Sequence, residues 1–138
     1  MSNYQTGQVL TFFALILPLV LLPVAAYAVD ATIVASREAG LQAATAQAAE
    51  TAAQQLNISG VRSSSLLTLD AIAVSRVVAA TLAEEESGAR LESDTVIGAE
   101  VTVVTSEPVT LPFSVFARSA TLHARATARL VAGYDSPS

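Results

Sequence analysis

From Val9 to Val29 the chain reads VLTFFALILPLVLLPVAAYAV, 21 residues without a charged side chain. As a helix this stretch would be about 31 Å long, which matches a hydrocarbon core of about 30 Å. Thirteen of its residues are Leu, Ile, Val or Phe. Each contributes about −0.3 to −0.6 kcal/mol to insertion, enough to outweigh Thr11 and Tyr27. Residues 1–29 are therefore expected to form a transmembrane helix, with Asp30 the first charge beyond it. A removable secretory signal competes with this reading, because Ala26-Tyr27-Ala28 fits a small-residue cleavage site. Against it, residues 1–7 carry no Lys or Arg, and the apolar run exceeds the usual signal core of about 7–15 residues. Pro18 and Pro23 each remove a backbone donor, at about 3 kcal/mol in an ordinary helix interior. Either they make a tolerated kink, as is common in membrane helices, or they mark a locally melted segment.

Orientation cannot be read from flanking charge, since Arg37 is the one basic residue near the span. Few residues precede the span, and the long remainder carries strand patterns. The N-terminus is thus expected in the cytoplasm and the C-terminal part outside. The remainder is acidic: 12 Asp and Glu against seven Arg and no Lys give a net charge of −5. No basic field exists to attract nucleic acid. With no Cys, disulfides, thiolate metal sites and thiol nucleophiles are excluded.

After Asp30, residues 31–56 keep a helix-forming composition, so the first helix is expected to run unbroken from Gln8 to Leu56, its residues 30–56 forming an Ala-rich stalk. Gly40 is its weak point. Ala44, Ala48 and Ala52 recur every four residues and make a smooth face on which another helix can approach; the competing reading is that Ala is simply the best helix former. Asn57 to Ser65, NISGVRSSS, is rich in cap and turn residues and predicts the helix end and a domain boundary. The glycosylation pattern at Asn57-Ile58-Ser59 is read as a chance match. Leu66 to Glu86 reads as a second helix, capped by Ser65 or Thr68, with Leu67, Ala71, Val74, Val78 and Leu82 on one face. The carboxylates Glu84 to Glu86 that end it read as a solvated face.

The period then changes to two. Between Ser119 and Val131 the even positions hold Ala120, Leu122, Ala124, Ala126, Ala128 and Leu130, and the odd positions are polar up to Arg129. That is a strand with one face packed, placing His123, Arg125 and Arg129 toward solvent or a partner subunit. Ile97, Ala99, Val101 and Val103 suggest another strand. Ser106 to Phe113, with two prolines, is expected to connect the two, and Arg90 to Thr95 to add a short edge strand. The expected fold is α+β: a long N-terminal helix, then a head over residues 57–138 in which a second helix packs on a small antiparallel sheet of two to three strands. With so much Ala facing inward its core is thin.

Candidate chemistry is sparse. His123 is the single histidine, and no nucleophile elbow, phosphate loop, HExxH or EF-hand pattern accompanies it. No enzyme activity, cofactor, metal or small-molecule substrate is expected.

Taken in order, GQVLTFFALILPLVLLPVAAYAVDA followed by LQAATAQAAETAAQQLN resembles the TadE/TadG-like proteins of tight-adherence (Tad, or Flp) pilus systems, distant relatives of type IV pilins. Gly7, Pro18, Asp30 and Leu41-Gln42-Ala43-Ala44 fit the positions that carry the likeness, which covers residues 7–56; the C-terminal strand pair is similar more weakly. Cleavable relatives have basic residues before the Gly and a Glu five residues after it, where this chain has Phe12, so the chain looks closer to uncleaved, membrane-retained members. The resemblance implies a pilin-like lollipop in a bacterial cytoplasmic membrane, acting as filament subunit or assembly component. Its partners would be lipid and copies of itself or other pilin-like subunits, gripped through Phe12, Phe13, Pro18, Pro23 and the Ala44, Ala48, Ala52 face. Asp30 would then mark the outer membrane boundary as a hydrated carboxylate or, in a filament, pair with Arg37 or a neighbour's terminal amine. The alternative function is a membrane-anchored binding or regulatory module whose helix is only a tether.

Overall fold

A computed structural model describes residues 3–62, 71–85, 88–98, 100–114 and 117–129, with side chains from Gly7 to Gln54 and from Ile72 onward within those ranges. Two helices and three strands follow in the order α1 (Asn3–Arg62), α2 (Ala71–Glu84), β1 (Arg90–Ile97), β2 (Glu100–Thr110) and β3 (Ser119–Arg129). The strands form an antiparallel meander with β2 at its centre. The arrangement is α+β, as the change of period along the sequence leads one to expect.

α1 is 60 residues of continuous helix, about 90 Å long. It passes through Pro18 and Pro23 without losing helical structure in the single chain. It also continues past Asn57 and Gly60 to Arg62, where the turn-forming composition suggested an end. Asn, Gly and Ser are weak helix formers rather than breakers, and a helix already propagating tolerates them at under about 1 kcal/mol each. Ser65, Leu66, Leu67 and Thr68, expected to cap and begin the second helix, lie outside the described residues, as does Leu130.

The core lies where α1 crosses the sheet. Ala44, Ala48, Ala49 and Ala52 of α1, Val74, Val78 and Leu82 of α2, and Val101 and Val103 of β2 form one buried cluster. Half-buried Leu91 and Val96 of β1 and Ala126 and Ala128 of β3 pack against it. The residues expected to make a stalk therefore form the central element of the head. Small side chains on α1 and β3 let the helix lie close to the strands, and the bulk comes from the valines and Leu82.

The inward face of β2 is its odd set, Val101, Val103, Thr105, Glu107 and Val109, all buried. That phase continues through Pro108, so β2 reaches Thr110 where a connection was expected. Pro108 is tolerated because β1 pairs with β2 only as far as Arg90 opposite Ser106, leaving one side of β2 free at position 108. The other correction concerns Ile97, which is not part of the Val101 strand. Gly98, with φ 62°, opens a two-residue loop that reverses the chain and sets Ile97 opposite Glu100. A positive φ at the first loop position is what the tight hairpin turns require and glycine supplies it freely. Ile97 thus falls on the outer face, 73% exposed.

One polar contact sits inside this core. Thr45 Oγ1 donates to the Leu41 carbonyl at 2.6 Å and lies 2.6 Å from Thr105 Oγ1. A hydroxyl has one proton, so Thr105 is the donor of the second bond. Among the described residues no buried side-chain polar atom lacks a partner.

Two sets of substitutions test this packing, read as denaturant unfolding of the detergent-solubilised protein. Ala48→Leu overfills the core and is expected to cost about 1–3 kcal/mol, whereas Ala39→Leu, on the exposed side of α1, stays within about 0.5 kcal/mol. Thr45→Val orphans the Thr105 hydroxyl at about 1–3 kcal/mol, and adding Thr105→Val recovers most of that loss.

Candidate functional site

The N-terminal part of α1 makes almost no contact with the rest of the chain. Every side chain from Gly7 to Val29 is exposed except that of Ala26, which is half-buried. The stretch includes the most apolar window of the chain, with a mean hydropathy of 2.6, and makes α1 long and apolar enough to cross a membrane. Phe12, Phe13, Leu10, Leu15, Leu19 and Leu22 all point outward with most of their surface free. Burying one such side chain is worth about 1.5–3 kcal/mol, so among the described residues the bare helix is a large unsatisfied apolar surface. Locally the helix manages its own backbone: Thr11 and Thr32 donate their hydroxyls to the carbonyls of Gly7 and Ala28, four residues back.

The bare segment ends at a collar of polar contacts from α1 to β2 and the hairpin that follows it. The helix and strand run in opposite directions, so residues later in α1 meet residues earlier in β2. Asp30 is only 6% exposed, and its Oδ1 accepts the backbone N–H of Phe113 at 3.3 Å. Arg37 Nη1 lies 3.5 Å from Oε1 of Glu107, a buried carboxylate on the inward face of β2. Thr45 and Thr105 follow, deeper in the core. Asp30 is therefore neither a hydrated boundary charge nor the partner of Arg37. The main chain of the β2–β3 hairpin reaches it at Phe113 and donates to one of its oxygens. A sequence reading has no access to this, since Asp30 and Phe113 are 83 positions apart.

The remaining predicted residues separate into two groups. Ala44, Ala48 and Ala52, expected as an approach face for another helix, are covered by the sheet and α2 of the same chain. Phe12, Phe13, Pro18 and Pro23 stay available on the bare part. His123, Arg125 and Arg129 lie exposed on the outer face of β3, where His123 Nδ1 is 3.3 Å from Glu92 Oε1. That contact reaches from the bulge in β1 across the central strand, above Ser106, which pairs directly with His123. At the end of α2, Glu85 accepts a hydrogen bond from Gln47 at 2.9 Å, and Ser75 donates to Asp94 at 2.7 Å, tying α2 to β1. Among the described residues no group of three or more His, Asp or Glu is placed to hold a metal ion.

Glu107 and Phe113 are the residues that sequence reasoning missed. Glu107 carried a signal: it occupies the inward phase of β2, where a carboxylate needs a partner on the facing helix. Phe113 carried none, because its contact is through the main chain.

Removing the acceptor tests the collar. Asp30→Ala leaves the Phe113 amide unpaired and is expected to accelerate its hydrogen exchange and destabilise the head by about 1–3 kcal/mol. Asp30→Asn keeps an acceptor oxygen and should preserve most of the protection.

Compared with protein-family models, curated proteins and solved structures, the chain matches none.

Proposed function

We propose that this protein is a single-pass membrane-anchored assembly subunit, a structural component of a pilus-like surface filament of the TadE/TadG-like kind. One observation carries the reading: an apolar helix bare over about six turns is continuous with the central helix of a small α+β head. A soluble domain gains nothing from so large an unpaired apolar surface. Lipid covers it while the subunit waits, and the helices of other subunits cover it once the subunit is incorporated. The N-terminus lies in the cytoplasm and the head outside a bacterial cytoplasmic membrane.

The internal packing of the head supports this division of labour. Because the Ala face of α1 is spent within the chain, contacts between subunits fall to the bare segment, through Phe12, Phe13 and the irregular surface around Pro18 and Pro23. Side-chain shape matters for such packing, since between helices in lipid there is no hydrophobic driving force and association comes from close fit. The reading assigns the head no catalysis: its lone imidazole faces Glu92 on an open sheet surface.

Replacing residues 9–29 with a plain leucine span of the same length separates assembly from tethering. The variant is expected to reach the membrane fraction at normal levels and to lose surface filaments, counted by electron microscopy. Normal filament numbers would overturn the assembly role and leave a membrane-anchored binding or regulatory module, for which any span suffices.

A further inference from the structure

Among the described residues of the head, three large apolar side chains are exposed: Ile72, Ile97 and Phe113. Their positions differ. Ile97 precedes the β1–β2 turn, at the end of the sheet remote from the bare helix. Phe113 sits in the β2–β3 hairpin, at the other end, and its own amide is hydrogen-bonded to Asp30, the residue directly after the apolar run. Phe113 is thus held at the level of the last apolar turn of α1.

The described residues on either side of it are also braced. The Leu111 N–H donates to the Arg118 carbonyl at 3.1 Å and closes the neck of the hairpin. Ser114 Oγ donates to the Leu111 carbonyl at 3.0 Å. Ser114 takes φ 50°, a left-handed conformation that non-glycine residues adopt rarely and that surrounding contacts must maintain. Pro112 fixes a further backbone angle. These contacts hold residues 111–114, which present Phe113 outward, 55% exposed, with an exposed Arg118 at the neck.

We propose that this hairpin is a second lipid contact: Phe113 enters the interfacial zone of the same bilayer that the bare helix spans, and sets the tilt of the head on the membrane. The proposal rests on the membrane-anchoring reading above. Continuity argues for lipid as the occupant, since the phenyl ring begins where the apolar surface of α1 ends, at the depth where aromatic side chains are favoured. Arg118 is a cation suited to lipid phosphate groups. Asp30, which would otherwise oppose approach to an anionic surface, is buried behind the loop and already hydrogen-bonded.

The chain contains no Trp, so a single introduced indole reports depth without background. Three full-length variants, Phe113→Trp, Tyr27→Trp and Ile97→Trp, are placed one copy per nanodisc of phosphatidylcholine and phosphatidylglycerol with brominated acyl chains, which excludes contacts between copies. All three positions are exposed, so the substitutions leave the core intact. The expected result is blue-shifted, strongly quenched emission from Y27W and F113W, with red-shifted, unquenched emission from I97W. Quenched Y27W together with F113W emission like that of I97W would overturn the hairpin contact and leave the anchor standing. Unquenched emission from both Y27W and F113W would overturn the anchor, and the hairpin contact with it.

Discussion

The burial of one alanine-rich face of α1 against the sheet sets everything else in this molecule. Ala44, Ala48, Ala49 and Ala52 offer little area each, so the stability they bring comes from proximity: a helix without long side chains on that face can lie against Val101 and Val103 while α2 closes the side with Val74, Val78 and Leu82. Once this face is committed, the direction of the whole 60-residue helix is fixed relative to the head. The bare segment then leaves the head along a defined axis, and its exposed leucines and phenylalanines cannot fold back onto a core that is already full.

Hydrophobic burial is non-directional, and a row of alanines is nearly smooth. Apolar packing alone would allow α1 to slide along the sheet by a turn. The polar pairs along the α1–β2 seam prevent this. Asp30 with the Phe113 amide, Arg37 with Glu107, and Thr45 with Thr105 join successive points of the helix to successive points of the strand and the hairpin after it. Each pair is satisfied in one register only, and a shift would leave a buried carboxylate or hydroxyl without a partner, at a greater cost than the lost bond itself.

Periodicity made much of the architecture legible. The uncharged run announced a membrane-length helix, Val74, Val78 and Leu82 a buried helical face, and the alternation from Ser119 to Arg129 a one-sided strand. Local composition misled at three places. NISGVRSSS lies partly inside α1, because cap residues act only where a helix has no reason to continue. Pro108 lies inside β2, because the neighbouring strand has already ended. Gly98 marks a reversal that parity conceals, since an apolar set can keep its phase through a two-residue loop while changing faces. The collar around Asp30 was not legible at all. It depends on how far the β2–β3 hairpin reaches down the helix, a matter of tertiary geometry that no local pattern encodes, and the Ala face looked equally suited to a neighbouring subunit and to the chain's own sheet.

The unbroken run of α1 from the bare segment into the core has a mechanical meaning. No break in the helix separates the bare segment from the head, so a pull on the N-terminal half reaches the head along the helix axis, parallel to β2. In that direction the contacts along the seam share the load as shear, instead of being opened one after another as in peeling. A small domain with a thin core is thereby loaded in its most resistant direction.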